Sequence, residues 1–283
     1  MSGGPGVVVV TRNRRERLLD TLDRLGQLPE RPEVVVVDNA SEDGTADAVE
    51  RRHPRMRVLR MPGNLGASAR NAGVRALRTP LVAVNDDDSW WAPGALERAA
   101  ALFEGRATLG VVQARILVGD DERLDPACAE MRHSPLPTPR GLPGPAVLGF
   151  VACGVVFRRE AFLEAGGFDP RLEMGGEETL LAFDLARHGW ELAYVDSVVA
   201  HHYPDRGDDR AGRTALLLRN ELWTAWLRRR LPGAVRTTAR LVASAARQRE
   251  LGALADAARG APWVLAQRRP LPESLERAAR LVY

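Results

Sequence analysis

The chain contains 283 residues, of which 45% are hydrophobic and 27% are charged, and it carries a formal net charge of +3. This composition is typical of a globular protein and excludes an intrinsically disordered chain. Because the two cysteines, Cys128 and Cys153, are too few for a disulfide framework and the first residues resemble neither a signal peptide nor a membrane span, we expect a cytoplasmic protein.

Short runs rich in valine alternate with helical patterns through the first part of the chain. Strands that are apolar on both faces and alternate with helices indicate a parallel sheet covered by helices on both sides. We therefore predict a doubly wound α/β unit here. Its predicted strands cover residues 7–10, 33–38, 56–60, 80–86 and 109–117, and its predicted helices cover residues 15–25, 44–52, 67–77 and 93–103.

Polar residues follow four consecutive predicted strands, at positions 11–13, 38–39, 64–66 and 86–88. In sheets of this kind, ligands bind outside the carboxyl ends of the strands. Asp38, the last residue of its strand, is poorly placed to cap the next helix and is suited to accept hydrogen bonds from a base or a ribose. The sequence therefore predicts a polar ligand at this edge of the sheet.

The fourth strand runs into the sequence NDDDSWW at residues 85–91. Three adjacent carboxylates repel one another unless water solvates them or a cation neutralises them. No glycine-rich phosphate loop follows the first strand and no Walker sequence occurs, so phosphates would need another partner. Carboxylates that hold Mg²⁺ or Mn²⁺ are the obvious alternative. Trp90 and Trp91 fit either core positions or a stacking wall for an acceptor.

The sequence is less regular from residue 119 onwards. Residues 119–147 contain six prolines and no hydrophobic period, so we interpret them as a long loop that could act as a lid or a binding loop. We predict a strand at 149–157, helices at 158–166 and 177–189, and one or two strands within 190–202. Acidic residues open the helix at 177–189 and basic residues close it, which suits the helix dipole.

Basic residues are concentrated at the end of the chain. Residues 203–283 contain 16 arginines against 8 acidic residues, a net charge of +8, and their pattern is helical. A generic nucleic-acid-binding domain would carry its basic face on the folded module instead, which argues against nucleic acid as a partner. Two interpretations remain: a helical appendage packed on the body, or a basic amphipathic surface within 213–269 that contacts anionic lipid.

Six motifs, in the expected order, make the chain resemble glycosyltransferase family 2 over residues 7–203. The resemblance implies the GT-A fold, a single Rossmann-like, doubly wound mixed sheet flanked by helices. It implies a catalytic domain at 1–203 and leaves 204–283 as a basic helical C-terminal extension. The motifs are VVVVTRNR (7–14), VVVVDNASEDGT (34–45), NLGASARNAG (64–73), DDD (86–88), GGFDPRLEMGGEETLL (166–181) and VVAHH (198–202).

The resemblance also implies roles for residues by position. Asp86 and Asp88 match the ends of the family's DxD motif and would hold the donor ribose and a divalent metal, Mg²⁺ or Mn²⁺. His201 matches a late histidine that completes the metal shell in some relatives, although the sequence leaves open whether His201 or His202 points inward. The residues implied at the nucleotide and donor are Thr11, Arg12, Asp38, Asn64, Gly66, Arg70, Asp86 and Asp87.

The acidic pair departs from the family pattern. The family usually has Glu-Asp, whose aspartate is the candidate base for the acceptor hydroxyl, whereas this chain has Glu177 and Glu178. Glu178 occupies the aspartate position with one more methylene group. We expect the helix dipole to lower its pKa and so to weaken it as a base. The plainer interpretation, that two glutamates merely suit the start of a helix, stays open.

We therefore predict a metal-dependent glycosyltransferase that moves a sugar from a nucleotide-diphosphate sugar to an acceptor hydroxyl, with the inversion that the resemblance implies. The acceptor could be a lipid-linked glycan, a polysaccharide or a small molecule, and the protein could contact the inner face of a membrane through its C-terminal helices. Two alternatives are a nucleotidyltransferase, which would normally need a glycine-rich loop after the first strand, and a catalytically silent nucleotide-sugar-binding module.

Overall fold

A computed structural model describes residues 4–204 and 213–283 of the chain. Within these residues, nine strands join in one mixed sheet. The strands are β1 (Gly6–Thr11), β2 (Val34–Asp38), β3 (Arg57–Arg60), β4 (Leu81–Asp86), β5 (Ser89–Trp91), β6 (Leu109–Val118), β7 (Arg123–Leu124), β8 (Val155–Arg158) and β9 (Glu191–His202).

The strand order explains how one edge of the sheet collects polar residues. The order is β3-β2-β1-β4-β8-β6-β9-β5, with β7 paired to β6. The first four strands run parallel, and their register sets Thr11 beside Asp38 and Val10 beside Asp86. Strand β8 then lies antiparallel between β4 and β6, while β6 and β9 are parallel. The predicted mixed, doubly wound α/β sheet is confirmed.

Helices cover both faces of this sheet because its central strands are apolar on both sides. The four valines of β2 are all at most 5% exposed and belong to one continuous hydrophobic core. The helices of the body are α1 (Arg15–Gly26), α2 (Thr45–Arg52), α3 (Arg70–Ala76), α4 (Ala95–Phe103), α5 (Pro126–Arg132), α6 (Arg159–Glu164) and α7 (Glu177–Arg187).

Two local predictions were wrong, and one short strand was not predicted. Residues 149–157 do not form one strand, because a 3₁₀ turn at Ala152–Gly154 precedes β8. The predicted long loop at 119–147 contains β7 and α5, which begins where the Asp125 side chain accepts a hydrogen bond from the Ala127 amide at 2.8 Å. The tryptophan pair belongs to a short strand, β5, which pairs with the end of β9.

The C-terminal residues form helices that pack on the body, as the first of the two interpretations predicts. A cluster that includes Leu172, Leu180, Trp223 and Leu227 joins them to α7 and the segment before it. Within the described residues, no helix is long and apolar enough to cross a membrane. The helices are α8 (Arg213–Arg228), α9 (Leu231–Gln248), α10 (Leu251–Arg259), α11 (Ala261–Ala266) and α12 (Glu273–Val282). Residues 205–212 of the predicted extension lie outside the described residues.

Candidate active site

Asp87 is anchored at the centre of the polar edge. Its carboxylate accepts hydrogen bonds from Thr11 Oγ1 at 2.8 Å and from Arg14 Nη1 at 2.9 Å. Burial raises the pKa of Asp87 to about 7, although the Arg14 guanidinium opposes that rise. Arg14, to which the sequence gave no role, therefore contacts the aspartates, whereas the side chain of Arg12, expected at the nucleotide, is exposed. The turn at Asn13, which has φ of +54°, carries the chain past Arg12 and brings Arg14 back to the aspartates.

Asp88 is buried and lies between two basic side chains. Its Oδ2 is 3.1 Å from Arg14 Nη1, and its Oδ1 is 3.4 Å from His202 Nε2. Burial opposes its ionisation, yet the hydrogen bond and charge of His202 hold the pKa of Asp88 below its usual value. Conversely, burial works against protonation of His202, but the Asp88 carboxylate raises its pKa.

His202, rather than His201, faces the aspartates. The His201 ring stacks on Trp90 at 5.7 Å between centroids, and its Nδ1 lies 3.3 Å from Oε1 of Glu122. The two histidines are neighbours on β9, so their side chains point to opposite faces of the sheet. The placement of His201 in a metal shell is therefore not supported by the geometry.

Asp86, Cys153 and His202 form the one group of possible metal ligands found among residues 4–204 and 213–283. Their ligand atoms all lie within 4.8 Å of one another. Among the described residues, the buried Asp88 Oδ1 has only the 3.4 Å contact with His202 Nε2 and no closer polar partner. Burial keeps the pKa of the Cys153 thiol well above its usual value, which favours the protonated form. The carboxylates and the imidazole are therefore the better ligands, and they suit a divalent cation.

Arg70 connects this cluster to the acidic pair. Its guanidinium makes an ion pair with Asp86, and its buried Nε has no hydrogen-bond partner among the described residues. Burial opposes its charge, but the carboxylates of Asp86 and Glu177 raise its pKa, so Arg70 stays a cation. Glu177 is buried as well, and its Oε2 is also without a hydrogen-bond partner. Unpartnered buried polar atoms are uncommon in native proteins, and several in one region indicate a place for a ligand.

Glu178 is the second residue of α7, and its carboxylate lies against the 3₁₀ turn before β8. Its Oε1 accepts a hydrogen bond from the Ala152 amide at 2.7 Å. Burial, followed by the nearby charge of Glu177, raises the pKa of Glu178 to about 8. The expectation that the helix dipole would lower this pKa was wrong, because burial and the like charge outweigh the dipole at this site.

Comparison with known proteins decides the family. The sequence profile of the family described as Glycosyl transferase family 2 matches residues 6–166, which is more than half of the chain. The chain belongs to glycosyltransferase family 2. It is 29% identical, over 69% of its length and 75% of the relative, to N-acetylglucosaminyl-diphospho-decaprenol L-rhamnosyltransferase of Mycobacterium tuberculosis. It is 31% identical, over 69% of its length and 85% of the relative, to an uncharacterised glycosyltransferase of Mycobacterium bovis.

Structural comparison agrees with the family. A mannosyltransferase of Pyrobaculum calidifontis, solved in complex with GDP-mannose and Mn²⁺, superposes with a TM-score of 0.59 over 98% of this chain and 84% of that protein, at 23% identity. The fold is GT-A, as the sequence resemblance implies. The protein is therefore a glycosyltransferase with the GT-A fold, and the predicted family and enzyme class are confirmed.

The remaining predicted donor residues of the glycosyltransferase lie in one loop network. The Asp38 carboxylate accepts a hydrogen bond from the Ser41 amide at 3.1 Å. Asn39, which sequence reasoning gave no role, donates to Asn64 Oδ1 at 2.9 Å and accepts from the Leu65 amide at 2.8 Å. The sequence signal for Asn39 is its position directly after Asp38, the last residue of β2.

Close packing against another loop requires a glycine at position 66. It has φ of +57°, and a Cβ at this position would lie 2.2 Å from the carbonyl oxygen of Glu173. The loop that leads into α7 therefore approaches the backbone after Asn64 directly, and the Ala67 amide donates to that same carbonyl at 2.5 Å. This contact ties the loop before the acidic pair to the donor edge of the sheet.

The two tryptophans of the glycosyltransferase have different surroundings. Trp91 is 1% exposed, and its Nε1 donates to Asn85 Oδ1 at 2.6 Å, so it is a core residue and not a wall for an acceptor. Trp90 is half-buried, with the guanidinium of Arg24 4.1 Å from its ring centroid and the ring of Tyr203 4.7 Å away. Trp90 therefore already contacts Arg24, His201 and Tyr203.

Proposed function

We propose that this glycosyltransferase moves a sugar from a nucleotide-diphosphate sugar to an acceptor hydroxyl, with the help of a divalent metal and with inversion at the anomeric carbon. The observation that carries the proposal is the arrangement of Asp86, Asp88, Arg70 and Glu178 around buried polar atoms that lack partners. The related mannosyltransferase, solved with GDP-mannose and Mn²⁺, supports a nucleotide-sugar donor. Family membership favours this activity over nucleotidyl transfer.

The metal would be Mg²⁺ or Mn²⁺, held by Asp86, Asp88 and His202. When bound, it would neutralise the charge that develops on the diphosphate leaving group. Arg14 keeps Asp88 ionised and fixes its orientation through the contact at 3.1 Å. Arg70 forms an ion pair with Asp86 and would add a buried positive charge beside the diphosphate. Arg14, Arg70 and the bound metal would together offset the surrounding carboxylates and the charge of the leaving anion.

The donor nucleotide would lie along the ends of β1 to β4. Thr11 and Asp38 sit side by side in the register of β1 and β2, so both side chains reach the same part of the ligand. Arg12 is exposed at this edge and would reach a nucleotide only from outside the sheet. Asn64 and Gly66 would shape the floor of the site through their backbone, since the Asn64 side chain already bonds to Asn39.

Glu178 would act as the base. The acceptor oxygen attacks the anomeric carbon as the bond from that carbon to the diphosphate oxygen breaks, and the hydroxyl proton passes to the Glu178 carboxylate. A pKa of about 8 makes Glu178 a stronger base than an ordinary glutamate, at the cost of being mostly protonated at neutral pH. The neighbouring charges adjust the pKa of Glu178, because Glu177 raises it and Arg70 lowers it.

A screen of donors tests this function. We expect one nucleotide sugar, in the presence of Mn²⁺, to raise the melting temperature by on the order of 5 °C, because a ligand at a hundred times its Kd adds about 2.7 kcal/mol of stability. The same donor should release its nucleoside diphosphate when an acceptor is added. Stabilisation by a donor without turnover on any acceptor would instead favour the silent binding module. Stabilisation by nucleoside triphosphates alone would contradict the proposal.

The catalytic domain at 1–203 and the extension at 204–283 would work as one unit, with the extension facing a membrane. Helix α9 carries three exposed arginines, Arg236, Arg240 and Arg247, and no acidic residue. The apolar side chains of Val235 and Val242 are exposed beside them. A helix with this pattern can lie at the surface of an anionic bilayer. The rhamnosyltransferase relative acts, by its name, on a decaprenol-linked acceptor, which supports lipid as one acceptor class.

Vesicle cosedimentation tests the membrane contact. We expect binding to vesicles of phosphatidylglycerol and phosphatidylcholine that falls as salt rises, and little binding to phosphatidylcholine alone. Replacing Arg236 and Arg247 by glutamine should weaken binding, by about fivefold for each arginine, since each is worth about 1 kcal/mol near such a surface. Arg55→Gln, an exposed change on the body, is the matched control. Failure to bind at any salt concentration would exclude the contact.

A further inference from the structure

A cavity of about 530 Å³ lies beside Glu178. Its walls come from four parts of the chain, which are residues within 127–135 at α5, residues 147–151 before the 3₁₀ turn, residues 178–179 of α7, and residues 281–283 at the end of α12. Its volume falls within the range of small-molecule sites, about 300 to 1,000 Å³. Neither the donor nor the metal residues line it, so this space is separate from the nucleotide edge.

The walls of this cavity match an uncharged ligand with an apolar part. Among the described residues that line it, there is no arginine, and the ionisable side chains include the carboxylates of Glu130 and Glu178 and the imidazole of His133. A phosphate or diphosphate here would be desolvated next to two carboxylates with no arginine to balance it. Leu148, Val151 and Leu281 supply apolar surface instead. The cavity therefore disfavours the donor diphosphate and favours hydroxyl-bearing, partly apolar molecules.

The Glu178 end of the cavity adjoins the donor site. The hydrogen bond from the Ala152 amide places the Glu178 carboxylate against the turn whose next residue is Cys153. The Cys153 sulfur in turn lies within 4.8 Å of ligand atoms of Asp86 and His202. A molecule in the cavity can therefore present a group at Glu178 while a donor occupies the aspartate side of the same turn.

The wall formed by the end of α12 is firmly held. The hydroxyl of Tyr283 donates to the carbonyl oxygen of Leu148 at 2.9 Å, and its ring packs edge-on against Phe183 at 5.5 Å between centroids. Phe183 belongs to α7, the helix that carries Glu178 at its start. The base and the far wall of the cavity therefore share one support, which keeps their separation fixed.

We propose that this cavity is the acceptor site, and that it takes an uncharged amphipathic acceptor. Its attacked hydroxyl lies at Glu178 and its apolar portion lies along Leu148, Val151 and Leu281. This inference rests on the proposed transfer reaction. It moves the acceptor away from the tryptophans of β5, where the sequence predicted it, and makes the end of the C-terminal extension a part of the active site.

Ligand binding without turnover tests the proposal independently of the transfer activity. The probe is n-octyl β-D-glucoside below its critical micelle concentration, observed by saturation-transfer-difference NMR on the whole chain. We expect saturation of the octyl protons, and about tenfold weaker binding to Leu281→Asp, since loss of even one apolar group from a pocket is worth about that factor. Leu281 is 57% exposed, so this variant should fold. Leu163→Gln on α6, which is exposed outside the cavity, should bind normally.

Three outcomes would overturn the proposal. The first is no saturation of the octyl chain with the unmodified protein. The second is equal binding by Leu281→Asp, which would place the glucoside elsewhere, for example on the exposed side of α9. The third is tighter binding of n-octyl phosphate than of the glucoside, which would show that the cavity prefers an anion. A failed donor screen with a positive glucoside result would count against the transfer reaction and not against this cavity.

Discussion

Replacement of Asp88 by alanine is expected to lower kcat for nucleoside-diphosphate release by about a thousandfold. Stabilisation of a leaving diphosphate by a bound metal is worth several kcal/mol, and about 4 kcal/mol corresponds to that factor. The substitution also leaves Arg14 and His202 without their shared carboxylate partner. We therefore expect lower stability as well, because a buried charge that loses its partner costs about 3 to 5 kcal/mol.

Asp88→Asn separates the two effects, because it keeps the shape of the side chain and removes the charge. Isothermal titration with Mn²⁺ in the absence of donor should show weaker metal binding for Asp88→Asn and for His202→Gln. His201→Gln is the matched control, since His201 contacts Trp90 and Glu122 and should bind Mn²⁺ normally. Full activity of Asp88→Ala, or of the unmodified protein in excess chelator, would remove the metal from the mechanism.

The parallel part of the sheet could be predicted because its signals are local. Val7 to Val9 and the valines of β2 are apolar on both faces, which excludes a solvent-exposed sheet, and polar residues mark the point where each strand ends. Parallel strands have their carboxyl ends at the same edge of the sheet, independently of which side chains they carry. The joint position of Thr11, Asp38 and Asp86 follows from this rule alone, and the observed register confirms it.

The choice between neighbouring residues could not be made from sequence. Arg14, and not its neighbour Arg12, contacts the aspartates, and Asn13 between them adopts a left-handed conformation that no pattern in the sequence predicts. His202 replaces His201 because the pairing of β9 with β5 and β6 fixes which face each residue takes. A shift of one residue in a strand exchanges the two faces, so an uncertainty of one position inverts the prediction.

Burial by distant segments was also invisible in the sequence. The resemblance placed Asp87 at the nucleotide and donor, but nothing in the sequence showed that α1 covers it and that Thr21 Oγ1 donates to its carbonyl oxygen at 2.8 Å. The cavity beside Glu178 needs Leu148 and Tyr283, which are 135 positions apart. This contact between distant residues depends on the packing of the C-terminal helices on α7. The hydrophobic periodicity around Leu148 does not predict contact with the end of α12, and the periodicity of α12 does not predict contact with Leu148.

Replacement of Glu178 by glutamine is expected to lower kcat by about a hundredfold to ten-thousandfold, the range that general-base catalysis contributes. Donor binding, measured by thermal shift, should change little, because the carboxylate accepts from the Ala152 amide on the side of that turn that we propose for the acceptor. Glu178→Asp restores the pair usual in the family and should retain part of the activity. Unchanged kcat in Glu178→Gln would exclude Glu178 as the base.

The pH dependence of activity tests the role of Glu178 as the base, with a substitution at its neighbour Glu177. Because the pKa of Glu178 is about 8, the unmodified enzyme should lose activity as the pH falls through about 8 and the base becomes protonated. Glu177→Gln removes the charge that raises this pKa, so its acidic limb should move to lower pH while kcat at high pH is retained. A limb that stays in place would mean that another group titrates.

The pH dependence of stability gives an independent measurement of the same pKa, because stability falls with rising pH where activity increases. A carboxyl group whose pKa is higher in the folded state binds its proton more tightly there, so the folded state loses stability as the pH rises from about 4.5 to about 8. Glu178→Gln removes this loss, because an amide does not ionise. Its melting temperature should therefore gain on that of the unmodified protein across this pH window. If the difference in melting temperature between Glu178→Gln and the unmodified protein is the same at pH 5 and at pH 9, Glu178 ionises normally. The raised pKa of Glu178 would then have to be abandoned.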